Sequence, residues 1–271
     1  MKKKPLLAAM FGGLAIVSGS ALATGFVTLP ETGVPVSGGT SAYVICNPTG
    51  DFGSGESIEP TFSPNGGTYN TCAVPSNNPP LTGYSQVAST SRNIVINSKT
   101  IGTVTDQVWR DAAGTSCIYA AKVRMGNVDY NPSLAGTQYF EVNDVARAGF
   151  RNRGPVSAAY YFTQQADEVL FRAGLTFTAL VHRPGDADQP LTSVAPISTN
   201  WVDFTTDISW WDSDGTSPRD SSWLYVKSGC TSATPTAVTG ALRIRQKGQE
   251  GQPNLEISLP GYAPAGADIN Q

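Results

Sequence analysis

The chain has 271 residues, with 18 lysines and arginines against 21 aspartates and glutamates, and a formal net charge of −3. No basic stripe runs along the sequence, and this argues against nucleic acid as a partner. Charged residues make up only 14% of the chain while glycine and proline are frequent, a composition that favours many short strands joined by turns.

The first 23 residues have the pattern of a secretion signal that is cleaved during export. Residues 2–4 are lysines, residues 5–17 are largely apolar, and residues 21–23 form the small-residue cleavage site Ala-Leu-Ala. Without the three lysines the formal charge changes from −3 to −6. No later stretch reaches the roughly 18 uninterrupted apolar residues of a membrane span. We therefore expect an exported protein, periplasmic, surface-associated or secreted, with no transmembrane segment after the signal is removed.

Four cysteines follow the predicted cleavage site: Cys46, Cys72, Cys117 and Cys230. An even number of cysteines in an exported chain indicates two disulfides, and four cysteines allow three pairings. We favour Cys46–Cys72 and Cys117–Cys230, although the spacing alone does not choose. The sequence has no C-x-x-C pair and a single histidine, His182, so neither a zinc site nor a histidine-based catalytic relay is expected.

The mature chain divides by composition into two parts. Residues 24–85 are rich in Gly, Pro, Ser and Asn and predict a loop-rich N-terminal region with one strand near Ser41–Cys46. Residues 86–271 alternate more clearly between apolar and polar side chains and predict the main β domain. Strand patterns in this domain are, in chain order, Asn93–Asn97, Ile101–Arg110, Cys117–Met125, Val156–Phe162, Ala241–Gln246 and Leu255–Leu259. The second and third of these flank a turn and predict a hairpin.

No long helical periodicity is present in the chain. Residues 163–174 allow two interpretations, one short helix or a turn that leads into a strand over Val169–Val181. With roughly ten to fourteen strands expected, the sequence predicts an all-β fold, an antiparallel β-sandwich or a jelly-roll-like arrangement.

Residues 201–230 contain four of the five tryptophans and are the most distinctive stretch of the sequence. Phe204 and Ile208 alternate with Asp203 and Asp207, which predicts a half-buried strand whose acidic residues face solvent. A second short strand is predicted over Trp223–Lys227, and Gly, Pro and Asp residues lie between the two. The stretch therefore predicts a hairpin with an acidic loop.

The acidic loop carries the candidate metal ligands Asp212, Asp214 and Asp220. Its Asp-Ser-Asp-Gly segment resembles part of a calcium loop, and Ca²⁺ prefers carboxylate and carbonyl oxygens. The full EF-hand pattern is absent, because Trp210 and Ser221 stand at the two positions that require acids. Calcium is thus the one cofactor to consider, and an acidic turn without a metal is the alternative.

Four aromatic residues are the candidate ligand-binding residues: Trp201, Trp211, Trp223 and Tyr225. Aromatic rings combine an apolar face with a polar edge, so an exposed group of them could stack on sugar rings. The alternative is that the same rings pack into the core.

Two further groups of charged residues are candidates for a functional role. Glycoside hydrolysis requires a pair of carboxylates roughly 5–10 Å apart across a cleft. Six acids could supply that pair, namely Glu141, Asp144, Asp167, Glu168, Asp203 and Asp207, but no motif selects two of them and no catalytic residue is assigned. Three arginines, Arg147, Arg151 and Arg153, could bind an anion or form a solvated turn.

Together these patterns predict an exported bacterial β-sandwich protein with a non-enzymatic binding or structural role at the cell exterior. The expected partner is a polysaccharide or another surface protein. A carbohydrate-active hydrolase that uses paired carboxylates is the first alternative, and a subunit of a surface filament or layer is the second.

Overall fold

The computed structural model describes residues 25–36, 39–45, 72–161, 172–177, 196–211, 219–247 and 252–270. Within these ranges the chain forms fourteen strands and no helix. The strands are β1 (Val27–Leu29), β2 (Val34–Val36), β3 (Gly39–Ser41), β4 (Tyr43–Ile45), β5 (Tyr84–Ile96), β6 (Lys99–Asp111), β7 (Ser116–Met125), β8 (Val142–Ala148), β9 (Val156–Tyr161), β10 (Arg172–Gly174), β11 (Trp201–Ile208), β12 (Trp223–Gly229), β13 (Thr236–Lys247) and β14 (Asn254–Ala263).

Twelve of these strands form two six-stranded antiparallel sheets. The first sheet has the order β1-β9-β12-β7-β6-β5, and the second has the order β14-β13-β8-β11-β10-β4. Strands β2 and β3 pair only with each other. The predicted all-β, antiparallel sandwich is confirmed. The division at residue 85 stays a prediction, and β1 and β4 from the N-terminal part pair with β9 and β10 of the main part.

The two sheets share one apolar core. Val104 and Tyr119 of the first sheet belong to the same buried cluster as Val145, Phe204 and Ile244 of the second. Each of these side chains is at most 2% exposed, and full burial of such a side chain stabilises a fold by about 1.5–3 kcal/mol. The apolar residues that alternate along each strand therefore form one face of each sheet, and these two faces pack against each other.

The outer faces are also covered over the central strands of both sheets, which the alternation did not predict. On the first sheet, Val74 and Phe26 pack over Trp109, Ile118 and Tyr225. On the second sheet, β8 and β11 are buried at every position. A strand covered on both sides carries no solvent-facing residues, so its polar positions are interior positions.

Because β11 is buried on both faces, the prediction that its acidic residues face solvent is contradicted. Asp203 is fully buried and Asp207 is 3% exposed. One oxygen of Asp203 lies 3.4 Å from a guanidinium nitrogen of Arg245, which is itself buried. The prediction was wrong because alternation locates the two faces of a strand but not what lies on the second face.

The predicted hairpin over residues 201–230 is also wrong. Strand β11 pairs with β8 and β10 in the second sheet, whereas β12 pairs with β7 and β9 in the first. The acidic loop between them therefore joins one sheet to the other. The other predicted hairpin is confirmed, because β6 and β7 pair with Val104 opposite Val123 and Arg110 opposite Cys117.

Most of the remaining strand predictions match observed strands. The patterns at Val156–Phe162, Ala241–Gln246 and Leu255–Leu259 correspond to β9, β13 and β14. Residues 163–171 lie outside the described residues, and the last three residues of the segment for which a helix was considered form β10.

One predicted disulfide is confirmed. Cys117 and Cys230 are bonded, with their Cα atoms 5.6 Å apart. Cys72 is also disulfide-bonded, and Cys46, the partner predicted for it, lies outside the described residues.

A buried ion cluster joins the two sheets, and it consists of Asp106, Arg147 and Arg92. Asp106 Oδ1 lies 2.8 Å from Arg147 Nη2, and Asp106 Oδ2 lies 3.1 Å from Arg92 Nη1. The backbone N–H of Tyr262 donates to Asp106 at 2.7 Å, and Arg147 donates to the carbonyls of Tyr262 and Ala120. Arg147 is only 2% exposed, so its assignment to a solvated turn is wrong.

Three buried tyrosines should make the fold sensitive to alkali. Burial raises the pKa of Tyr119 to about 12, against the partial opposition of nearby arginines, and it also raises the pKa values of Tyr160 and Tyr225. Tyrosine ionises near pH 10 in an unfolded chain, so the unfolded state loses these protons first. Stability should therefore fall as the pH rises from about 10 to about 12. Equilibrium unfolding across this range measures the slope, and a Tyr119→Phe variant with an unchanged slope would contradict the assignment of Tyr119.

Candidate functional site

The structure separates the four aromatic residues proposed to form one platform. Trp201 begins β11 in the second sheet and is 6% exposed, with its ring centroid 4.1 Å from that of Phe177. Trp223 and Tyr225 lie on one face of β12 in the first sheet, where their rings stack at 6.4 Å and Tyr225 is fully buried. Packing rather than ligand stacking thus accounts for Trp201 and Tyr225.

Trp211 differs from these residues because its side chain lies at the surface. Its exposed fraction is 59%, the largest among the exposed large hydrophobic side chains of the described residues. The ring centroid of Tyr139 lies 6.2 Å away, with an angle of 51° between the two ring planes. We call Trp211 and Tyr139 the aromatic patch. Tyr139 escaped the sequence analysis because it lies far from Trp211 in the chain and no local pattern links them.

Hydrogen bonds hold both members of the aromatic patch in place. The hydroxyl of Tyr139 donates to Asn127 Oδ1 at 3.0 Å. The hydroxyl of Ser209 donates to the backbone carbonyl of Trp211 at 2.8 Å. Both residues follow or precede buried central strands, since β11 ends at Ile208 and β8 begins at Val142. The patch is therefore attached to rigid parts of the second sheet.

Charged side chains lie close to Trp210, which is outside the aromatic patch. The guanidinium of Arg219 lies 5.5 Å from the ring centroid of Trp210, the neighbour of Trp211. Asp220 forms ion pairs with Arg219 at 3.4 Å and with Arg124 at 3.5 Å. The polar side chain that contacts a ring of the patch is therefore Asn127, and the charged groups belong to the neighbourhood of Trp210.

The calcium prediction is untested for two of its three ligands. Asp212 and Asp214 lie outside the described residues, and Asp220 is engaged by two arginines. Among the residues that the structure describes, no group of three or more His, Cys, Asp or Glu is arranged to hold a metal.

The four described carboxylates considered for glycoside hydrolysis do not lie at an open surface. Glu141, Asp144, Asp203 and Asp207 are each at most 3% exposed. Glu141 accepts hydrogen bonds from the side chains of Asn143 and Gln252. Asp167, Glu168 and His182 lie outside the described residues. Among the described acids named for this role, none is placed to meet a polysaccharide chain.

Comparisons with known proteins give no match by sequence family, curated protein or solved structure. In the described part of the chain, no helix has the length and apolar character needed to cross a membrane. The fold alone defines the class of this protein. It is an all-β antiparallel sandwich with a disulfide between β7 and the residue after β12.

Proposed function

We propose that this chain is an exported, non-catalytic binding protein that holds a polysaccharide on the aromatic patch of Trp211 and Tyr139. The observation that carries the proposal is the exposure of Trp211 beside a second ring whose hydroxyl is fixed by a hydrogen bond. Exposing a tryptophan to water is unfavourable, so a ligand that covers the ring gains the free energy of removing that surface from water.

The chemistry of the patch suits a sugar. The C–H faces of a pyranose ring are apolar and can stack on an aromatic face, while its hydroxyl groups need hydrogen-bond partners at the edge. Asn127 provides an amide group at the edge of the Tyr139 ring, and the guanidinium of Arg219 lies against Trp210, the residue before Trp211. A flat apolar centre with a polar rim is the general anatomy of a binding surface.

Export is part of the same proposal. The Cys117–Cys230 disulfide supports an oxidising compartment, and residues 1–23 have the pattern of a cleaved secretion signal. Both features are expected of a protein that meets a polysaccharide outside the cytoplasm.

We expect Trp211→Ala to weaken binding to an insoluble polysaccharide by about tenfold, because it removes the most exposed ring of the patch. The oxidised protein would be mixed with a panel of insoluble polysaccharides, and depletion from solution would be measured together with release of reducing sugar. Tyr139→Phe should retain most of the affinity because it keeps the ring, whereas Tyr139→Ala should lose much of it. Val95→Ala removes another exposed apolar side chain, 46% accessible and located on β5, and serves as the matched control.

Each other outcome has a defined meaning. Release of reducing sugar would give first place to the hydrolase alternative, and depletion that EDTA abolishes would support the calcium loop. Equal binding by the wild type and the Trp211→Ala variant would remove the aromatic patch from the mechanism. If no polysaccharide is bound and the protein sediments as a large assembly, the filament or layer alternative would replace the proposal.

A further inference from the structure

A recess lies at the end of the sandwich opposite to the aromatic patch. It has a volume of about 330 Å³ and lies between the turn after β8, the residue before β11 and the C-terminal turn. Asn200 lines this recess and Trp211 lies beyond the far end of the same strand, so the eight residues of β11 separate the two places by about 26 Å. The recess is therefore independent of the aromatic patch and of the function proposed for it.

Hydrogen bonds from backbone and side-chain groups hold the segments that line the recess. The carbonyl of Asn200 accepts from the N–H groups of Gly149 and Phe150 at 2.9 and 3.2 Å, and its side-chain amide donates to the carbonyl of Asp268 at 2.8 Å. The N–H of Arg153 donates to the carbonyl of Phe150 at 3.1 Å. Three separate parts of the chain are thereby fixed around one space.

Gly149 keeps this space open. Its φ of +110° disfavours any L side chain, and a Cβ at this position would lie 2.9 Å from the Cβ of Ala267, another residue of the lining. Any larger residue would therefore strain the turn and push it against the opposite wall.

The charges in the recess favour an anion. Among the described residues of the lining, Arg151 and Arg153 contribute two guanidinium groups and Asp268 contributes one carboxylate. Arg153 is held by the hydrogen bond from its Nη2 to the carbonyl of Ala265 at 2.7 Å, and its Nε is buried without a hydrogen-bond acceptor. The hydrogen bond to Ala265 fixes the Arg153 guanidinium at the recess, where an oxyanion could form charge-assisted hydrogen bonds with it.

We propose that this recess is a binding site for the oxyanion group, carboxylate or phosphate, of a small polar molecule. The planar guanidinium offers paired donors that match both groups, and a charge-assisted bond of this kind is about twice as strong as a neutral one. The described residues of the lining are Gly, Ala, Arg, Asn and Asp, with no aromatic side chain among them, so the site selects charge and polarity and not apolar area. The volume accommodates one sugar acid or one small phosphorylated compound.

Isothermal titration at low ionic strength would test the site with inorganic phosphate, with glucuronate as the carboxylate and with glucose as the neutral control. We expect a Kd of about 1 mM for at least one of the two anions and no binding of glucose at this site. Arg151→Gln should weaken anion binding at least about fivefold, because it removes an exposed cation and leaves the Arg153 framework intact. Arg219→Gln removes a cation at the far end of the molecule and should have no effect.

A gain of affinity provides the sharper test. Asp268→Asn removes the one negative charge of the lining but keeps the side-chain oxygen that accepts from the N–H of Asn270, so it should tighten anion binding by about two- to fivefold. Phosphate binding alone or glucuronate binding alone would identify the favoured oxyanion. The proposal fails if neither anion binds at about 20 mM, or if Arg151→Gln and Asp268→Asn both leave the affinity unchanged.

Discussion

Replacing Asp106 with alanine should lower the free energy of unfolding by about 3–5 kcal/mol. The change leaves the guanidinium of Arg147, which is 2% exposed, without its carboxylate partner between the two sheets. It also removes the acceptor for the backbone N–H of Tyr262. Equilibrium denaturation of the oxidised protein measures the loss, and Asp220→Ala, which removes a carboxylate from two largely exposed arginines, should cost less than about 1 kcal/mol.

A double substitution separates the worth of the ion pair from the cost of breaking it. Asp106→Leu together with Arg147→Met replaces both charges by apolar side chains and should be clearly more stable than Asp106→Ala alone. If the double variant is as unstable as the single one, the unpaired Arg147 is not the cause of the loss.

Removing the Cys117–Cys230 disulfide should cost about 2–5 kcal/mol. The bond closes a loop with a sequence separation of 113 residues, and such a loop gains much conformational freedom in the unfolded chain when it is opened. The backbone N–H of Cys230 still donates to the carbonyl of Thr115 at 2.9 Å, so the strand ends should stay in register in the folded state. The effect is therefore expected mainly in the unfolded state.

The measurement compares the Cys117→Ala/Cys230→Ala double variant with the wild type in thermal and denaturant unfolding. Polysaccharide depletion and anion titration serve as readouts of the folded state. Neither cysteine lies in the aromatic patch or in the recess, so the substitutions do not alter the two proposed sites directly. A variant with unchanged stability would show that the sheet alone holds β7 and β12 together. A variant that folds normally but loses both binding activities would show that the bond also shapes the loops.

The sequence was a good guide to the strands and a poor guide to their surroundings. Apolar alternation located β6, β7, β9, β13 and β14 because a sheet face repeats every two residues. Alternation could not show that the outer faces of the central strands are covered, because the covering residues come from segments distant in the chain. Asp203 and Arg147 were therefore assigned to solvent, whereas both are buried beside ionic partners.

The same limit applies to the candidate sites. The abundance of tryptophan in residues 201–230 pointed to Trp211, but the exposed ring could not be told from Trp201 without knowing which sheet covers which strand. The position of Tyr139 beside Trp211, and the presence of Arg151 and Asp268 in one recess, depend on the order of strands in the second sheet. Local patterns carry no information about that order.

The complete burial of β8 and β11 also bears on how such a protein can diverge. Every position of these two strands is enclosed, so most substitutions there should be lost to selection for folding. Tyr139 and Trp211, which lie beyond the ends of these strands and are accessible at the surface, escape this constraint. Descendants of this chain should therefore share an almost fixed interior and differ in the loops at its two ends, where new ligands can be acquired without loss of the sandwich.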